Sequence, residues 1–237
     1  MNVLFFVPLV CAIVIYTISF KEGKQVCDNY VLVSYLYALF YLSIVAYTIR
    51  GFIKSNMINL SVGALIGTIL AFFGIQILML STPKEWVVWK HVLSVIFSAL
   101  LGFLLSTFFS MYSISSVVPA VLATMVLFVA LTLMAWKYQD SLASNLSWNM
   151  ILLFLLLILT EFLVGMFYPN SLLEKGVILV VLMAISYLLL VKTKAMIENK
   201  KKCETEGGPD YVNEGTGLML SFQNLLIRIL DLFGKRK

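Results

Sequence analysis

The chain has 237 residues, 61% of them hydrophobic and 12% charged, with a formal net charge of +5. Soluble domains carry about 25% charged and roughly 45–50% apolar residues, so this composition excludes a water-soluble globular protein. The basic excess lies in short loops beside apolar runs, where positive charge orients a membrane protein, and no nucleic-acid partner is expected.

Eight apolar segments follow one another, at about 1–20, 30–49, 58–81, 91–112, 117–136, 147–168, 174–191 and 216–233. A bilayer crossing needs about 20 such residues, and in lipid only helices or closed barrels satisfy every backbone group. Barrel strands would alternate over about ten residues, and these runs do not. The expected fold class is all-α, a one-domain polytopic membrane helical bundle whose first partner is the lipid bilayer.

The first segment, MNVLFFVPLVCAIVIYTISF, has no basic residue before its apolar run, and Lys21 and Lys24 follow it. A secretory signal starts basic, so residues 1–20 are expected to stay as an anchor, with the N-terminus outside the cytosol, rather than to be cleaved. The third segment carries GALIG, Gly63–Gly67, a small-residue spacing that lets helices approach closely; packing is its expected use. Trp86, Trp89, Trp136 and Trp148 fall near span ends, the pattern of an interfacial belt. His91, the single histidine, lies at a helix start and reads as an interfacial or packing residue. The NLS triplets at Asn59 and Asn145 abut spans, and glycosylation is not expected there. After the seventh segment comes KTKAMIENKKKCETEGGPDYVNEG. Its KKK and EGGPD are poor helical signals, so 192–215 is expected to be the main solvated loop.

Basic residues divide unequally between the two sides. The loops near 21–29, 82–90, 137–146 and 192–215 hold ten, Lys90 among them, and the opposite loops and tail hold six. The positive-inside rule sends the first set to the cytosol. Cys11, Cys27 and Cys203 are far apart, and their spacing supports neither a disulfide nor a zinc site. No nucleotide loop, nucleophile elbow or histidine–carboxylate cluster is legible, so neither an enzyme, a metal nor a cofactor is expected.

Ionisable groups inside lipid are costly and are functional candidates by default. Glu161 stands in ILTEFLVG, within the sixth segment. Arg228 and Asp231 stand in the last, three residues apart and so on one helix face. If both segments start from the same side, Glu161 and Arg228 reach the same depth, roughly 20 Å in at about 1.5 Å per residue. Two uses are open: a pair or triad that fixes helix rotation, and a path for ions or protons.

The last stretch, NEGTGLMLSFQNLLIRILDLFG, resembles the C-terminal signature of the Bax-inhibitor family, also called the transmembrane Bax inhibitor motif or lifeguard family. That signature commonly reads Leu-Tyr-Leu-Asp-x-x-Asn-Leu-Phe; here LMLSFQNLL keeps Leu218, Leu220, Asn224 and Leu225 in register. VVPAVLATMVLFVALTLMAWKYQD resembles the family's central helix, which ends in a basic loop with an aspartate, here Asp140. AISYLLLVKTKAMI resembles the helix that usually carries Tyr-Asp-Thr, with Thr193 kept. The likeness covers about residues 30–237.

The resemblance implies a seven-helix core over 30–237, an additional N-terminal helix, and a last helix in the middle of the bundle where Asn224 hydrogen-bonds between helices. It also implies endoplasmic reticulum or Golgi membranes, calcium leak from stores, and suppression of cell death. In the family two aspartates face each other. Two close carboxylates do not both ionise cheaply, so they share a proton and form a pH-dependent gate. The aligned residues here are Lys192 and Ser221. A lysine and a serine share no proton in that way, and a fixed positive charge repels calcium. The resemblance therefore implies the fold more firmly than the leak, and leaves calcium binding open. Two further function classes stand beside it. One is a non-conducting protein that modulates trafficking or stability of other membrane proteins. The other is a seven-helix receptor or small transporter, for which the short external loops offer little pocket.

Overall fold

Where the apolar pattern breaks, the helices begin and end. The computed structural model describes residues 3–21, 24–55, 62–138, 140, 142, 148–168, 171–203 and 208–235. Among the described residues the helices are α1 (Val3–Ser19), α2 (Tyr30–Lys54), α3 (Val62–Ser81), α4 (Val87–Ser110), α5 (Ile114–Lys137), α6 (Trp148–Phe167), α7 (Leu172–Lys202) and α8 (Tyr211–Phe233). A two-residue antiparallel pair, β1 (Phe20–Lys21) and β2 (Lys24–Gln25), turns the chain from α1 towards α2. Among the described residues six helices, α2, α3, α4, α5, α7 and α8, are long and apolar enough to cross a membrane. The apolar stretches of α1 and α6 are shorter, Phe6–Ser19 and Leu152–Phe167. The protein is an all-α, multi-pass membrane protein in contact with the bilayer.

Helix α7 departs from the sequence expectation. It continues to Lys202, so the first half of 192–215 is helix and not solvated loop. The residues VKTKAMIENKKK are mostly adequate or good helix formers, and Val191, Thr193 and Met196 are buried. Lys200, Lys201 and Lys202 occupy the last turn, where cations complement the negative end of the helix dipole.

The chain forms two units, one of residues 1–111 with 200–219, the other of 112–199 with 220–237. In the first, α2 packs along α4, α1 lies against α2, and α3 lies against α4. Glycine permits the close contacts there. A Cβ on Gly102 of α4 would lie 2.8 Å from the Val45 carbonyl oxygen and from Thr48 Cβ. A Cβ on Gly215 of α8 would overlap Tyr37 Cβ. In lipid, where the hydrophobic drive between helices is absent, such close approach supplies the packing energy. GALIG behaves differently. A Cβ on Gly63 or Gly67 would meet nothing within 4 Å, so the packing expected of this motif is not found among the described residues. Helix α3 is also the least buried span, with 6% of its apolar window buried against 50% for α4 and for α8.

In the second unit Phe128 of α5 meets Phe222 of α8, ring centroids 5.6 Å apart. The end of α8 is tied to the turn before α5: the Lys235 N–H donates to Ser116 Oγ, and the Ser113 N–H donates to the Lys235 carbonyl. Helix α8 separates its faces sharply, with Leu218, Met219, Phe222, Leu225, Leu226, Ile229 and Leu230 all buried. That recurrence at three and four residues makes a continuous buried stripe.

Cys27 and Cys203 form a disulfide across 176 positions of sequence, which overturns the reading from spacing. Spacing reports local pairs only; here the segment before α2 and the end of α7 lie together, with the two Cα atoms 6.0 Å apart. Cys11 is free and buried. Trp86, Trp89 and Trp136 are exposed at helix ends. The side chain of Trp148 and the triplet positions Asn59 and Asn145 lie outside the described residues.

Candidate functional site

The second unit brings together the ionisable groups of α6 and α8. Arg228 donates from Nη1 to Glu161 Oε1. The same nitrogen stands 3.8 Å from Asp231 Oδ2, as the three-residue spacing on one helix face allows. Tyr112, in the turn between α4 and α5, donates to Asp231 Oδ1 at 2.6 Å. The side chains of Glu161, Asp231 and Arg228 are 12%, 11% and 22% exposed. Charge-assisted bonds between groups so far out of water are strong, and leaving one partner alone there is costly. Glu161 and Arg228 each lie about one and a half turns from the C-terminal end of their helix, so the group sits towards that end rather than at mid-span.

A cavity of 430 Å³ opens onto this group, walled also by Ile158, Phe162, Glu174 and Ile178. Glu174 is a third carboxylate that the sequence reading missed, because it falls in a charged break before α7. Its place in the first turn of α7 is the signal that could have found it, since acids favour helix N-termini. Three carboxylates and one guanidinium thus line one cavity. Such a surplus between apolar walls raises the local concentration of cations. Among the described residues no group of three His, Cys, Asp or Glu can hold a metal ion. The cavity can therefore attract a cation without caging one.

The remaining sequence candidates fall elsewhere. Lys192 and Ser221 are half-buried on α7 and α8, Lys192 between the buried Val191 and Thr193. Asp140 is exposed in the turn after α5. Asn224 is exposed on α8 and makes no side-chain hydrogen bond among the described residues, so the bundle hydrogen bonding expected of it is corrected. The inward stripe of α8 sets the phase, and at about 100° per residue the buried amide is the neighbouring Gln223, 6% exposed.

The first unit holds a polar cluster that the sequence reading did not assemble. Lys90 was counted among the loop cations, yet it is 2% exposed and donates to Asp210 Oδ2 at 2.7 Å. The reason is that α4 starts at Val87, earlier than the expected 91, which puts Lys90 in the first turn facing the start of α8. Asn213 Nδ2 donates to the same carboxylate oxygen at 2.7 Å. The adjacent His91 shares hydrogen bonds with Tyr37 Oη (2.9 Å) and Tyr41 Oη (3.3 Å). The signal was in the four-residue spacing of Lys90, Ser94, Ser98, Gly102 and Ser106, all buried, a small and polar stripe along one helix face.

Comparison with known families matches residues 28–237 to the family described as "Inhibitor of apoptosis-promoting Bax1". No curated protein and no solved structure matches the chain.

Proposed function

Since the chain belongs to the Bax-inhibitor family over residues 28–237, we propose that it regulates calcium balance and cell death from endoplasmic reticulum or Golgi membranes. In this reading α2 to α8 are the family's seven-helix core, α1 is an added N-terminal anchor, and the aspartate-pair gate is gone. Lys192 and Ser221 stand at the aligned positions, and two such groups share no proton as two carboxylates do. Any leak then passes the carboxylates of the second unit.

The observation that carries this reading is the surplus of carboxylate at the 430 Å³ cavity, where Glu161, Asp231 and Glu174 outnumber Arg228. The surplus draws cations, while the Arg228–Glu161 pair restrains their passage. Calcium flux into dye-loaded liposomes carrying the full chain tests it. A slow leak is expected, without an acid–base gate of the aspartate-pair kind, falling to the level of protein-free vesicles in Glu161→Gln. A pH-gated leak that ignores Glu161→Gln would refute the reading.

A second reading, a non-conducting protein that modulates trafficking or stability of other membrane proteins, is favoured by Lys192 and Ser221 at the positions aligned with the aspartate pair. Absence of leak from a monodisperse, correctly inserted sample selects it, and co-purification in mild detergent then finds the partner.

A further inference from the structure

The disulfide joins two segments that both shape one cavity. Cys27 lies before α2, and Cys203 lies just past α7. The same junction has non-covalent ties: the Tyr211 hydroxyl donates to the Val26 carbonyl, and the Tyr30 and Tyr211 rings meet at 5.2 Å. Next to Tyr211, Asp210 holds the buried Lys90. A cavity of 790 Å³ is bordered by Gln25 on one arm of the bridge and by Gly208 and Pro209 on the other, with His91 in its wall. Gln25 in turn donates to Tyr37 Oη at 3.4 Å, the hydroxyl that His91 also meets.

With the buried Lys90 set aside, the side on which this bridge lies still carries nine Lys and Arg against six, and Lys200, Lys201 and Lys202 directly precede Cys203. By the positive-inside rule that side is cytosolic. Cytosolic glutathione keeps thiols reduced, and disulfides formed there are transient and regulatory. We propose that Cys27–Cys203 is a redox latch, open under reducing conditions and closed by oxidation, which sets the shape of the cavity that ends on His91.

The chemistry follows from access. Cys27 is partly exposed and Cys203 is buried, so a glutathione thiolate attacks the Cys27 sulfur. The S–S bond breaks, a mixed disulfide forms on Cys27, and Cys203 leaves as thiolate and takes a proton. A second glutathione thiolate attacks the glutathione sulfur of that mixed disulfide, releasing Cys27 and glutathione disulfide. Two electrons have then passed to the protein pair. Closure uses a peroxide: one thiolate becomes a sulfenic acid as the O–O bond breaks, and the other thiol displaces the sulfenic oxygen. With hydrogen peroxide both oxygens end as water. The three lysines in the last turn of α7 offset its carbonyl end.

Sealed microsomes with the cytosolic face outward, carrying the full-length wild-type chain, test this directly. They are equilibrated at a cytosolic glutathione ratio and treated with a membrane-impermeant maleimide. Label added from outside is expected on the reduced protein, to be lost after hydrogen peroxide and to return with reduced glutathione. Cys27→Ser and Cys203→Ser each abolish the peroxide-dependent change. On reduction, amide exchange over residues 24–30 and 208–213 is expected to rise roughly tenfold. Labelling only after the vesicles are opened, or a bond that survives the cytosolic ratio, makes the bridge a permanent structural tie and overturns the proposal. Exchange that does not change on reduction overturns the link to the cavity.

Discussion

Lys90 and Arg228 are both cations carried by apolar helices, and the two units treat them differently. Lys90 sits in the first turn of α4, 2% exposed, opposite Asp210, whose side chain is 29% exposed. One cation meets one carboxylate, and Asn213 adds a neutral donor. Arg228 is 22% exposed and faces Glu161 and Asp231, with Glu174 on the same cavity wall. The more deeply buried group is balanced in charge, and the less buried one is not. Burial alone would point to Lys90 as the site of action. The charge count points to Glu161, because only an unbalanced group leaves an attraction that a passing ion can use.

The largest effect that sharpens this comparison is expected at Asp210. Asp210→Ala strands a buried ammonium and should cost about 3–5 kcal/mol, read as a lowered melting temperature in detergent, with calcium leak per folded molecule unchanged. A changed leak would break the division between a structural joint and an acting site. Next comes Tyr112→Phe, which removes a hydrogen bond to a half-buried carboxylate and should cost about 1.5 kcal/mol. Because Asp231 then loses the bond that fixes it beside Arg228, leak through liposomes should rise. A leak that stays the same or falls would mean that Asp231 does not act through Arg228.

The smallest effect is expected at the exposed Lys21–Asp28 pair, N–O distance 2.6 Å. The Lys21 hydrogen bond, then its charge, holds the Asp28 carboxyl below its usual range. A lowered folded-state pKa gives stability that is present at neutral pH and is lost as pH falls through that lowered value. At a fully solvated site the gain is screened. Asp28→Asn should therefore match the wild type in thermal melting at neutral pH within error, and should converge on it fully in acid. A loss as large as that of Tyr112→Phe would show that solvent exposure is not what separates these ion pairs.

Part of the site was legible in the sequence. Two apolar spans starting on one side, with a regular rise per residue, suffice to set Glu161 opposite Arg228, and the three-residue step to Asp231 fixes its face. Glu174 was not legible, because a break of charged residues looks alike whether it faces water or a cavity. Lys90 was misplaced by an error of a few residues in the start of α4, enough to turn a loop cation into a buried one. Asn224 was carried over from the family's signature, but the buried stripe of this α8 turns it outward and brings Gln223 in. The extension of α7 was hidden because its lysines and polar residues score as loop by hydropathy while remaining adequate helix formers.

The order of three residue stretches, above all LMLSFQNLL in the last, carried the family resemblance, while length, hydropathy and charge by themselves determined that this chain is a helical membrane protein and roughly where its helices run. Those properties are local, set by about 20 residues at a time. Only the tertiary structure decided that Cys27 meets Cys203 across 176 positions, that a Cβ on Gly63 or Gly67 of GALIG would meet nothing within 4 Å, and that three carboxylates and one arginine line a single cavity. Each depends on which helix faces meet, and that follows from packing between distant segments, which no window of sequence contains.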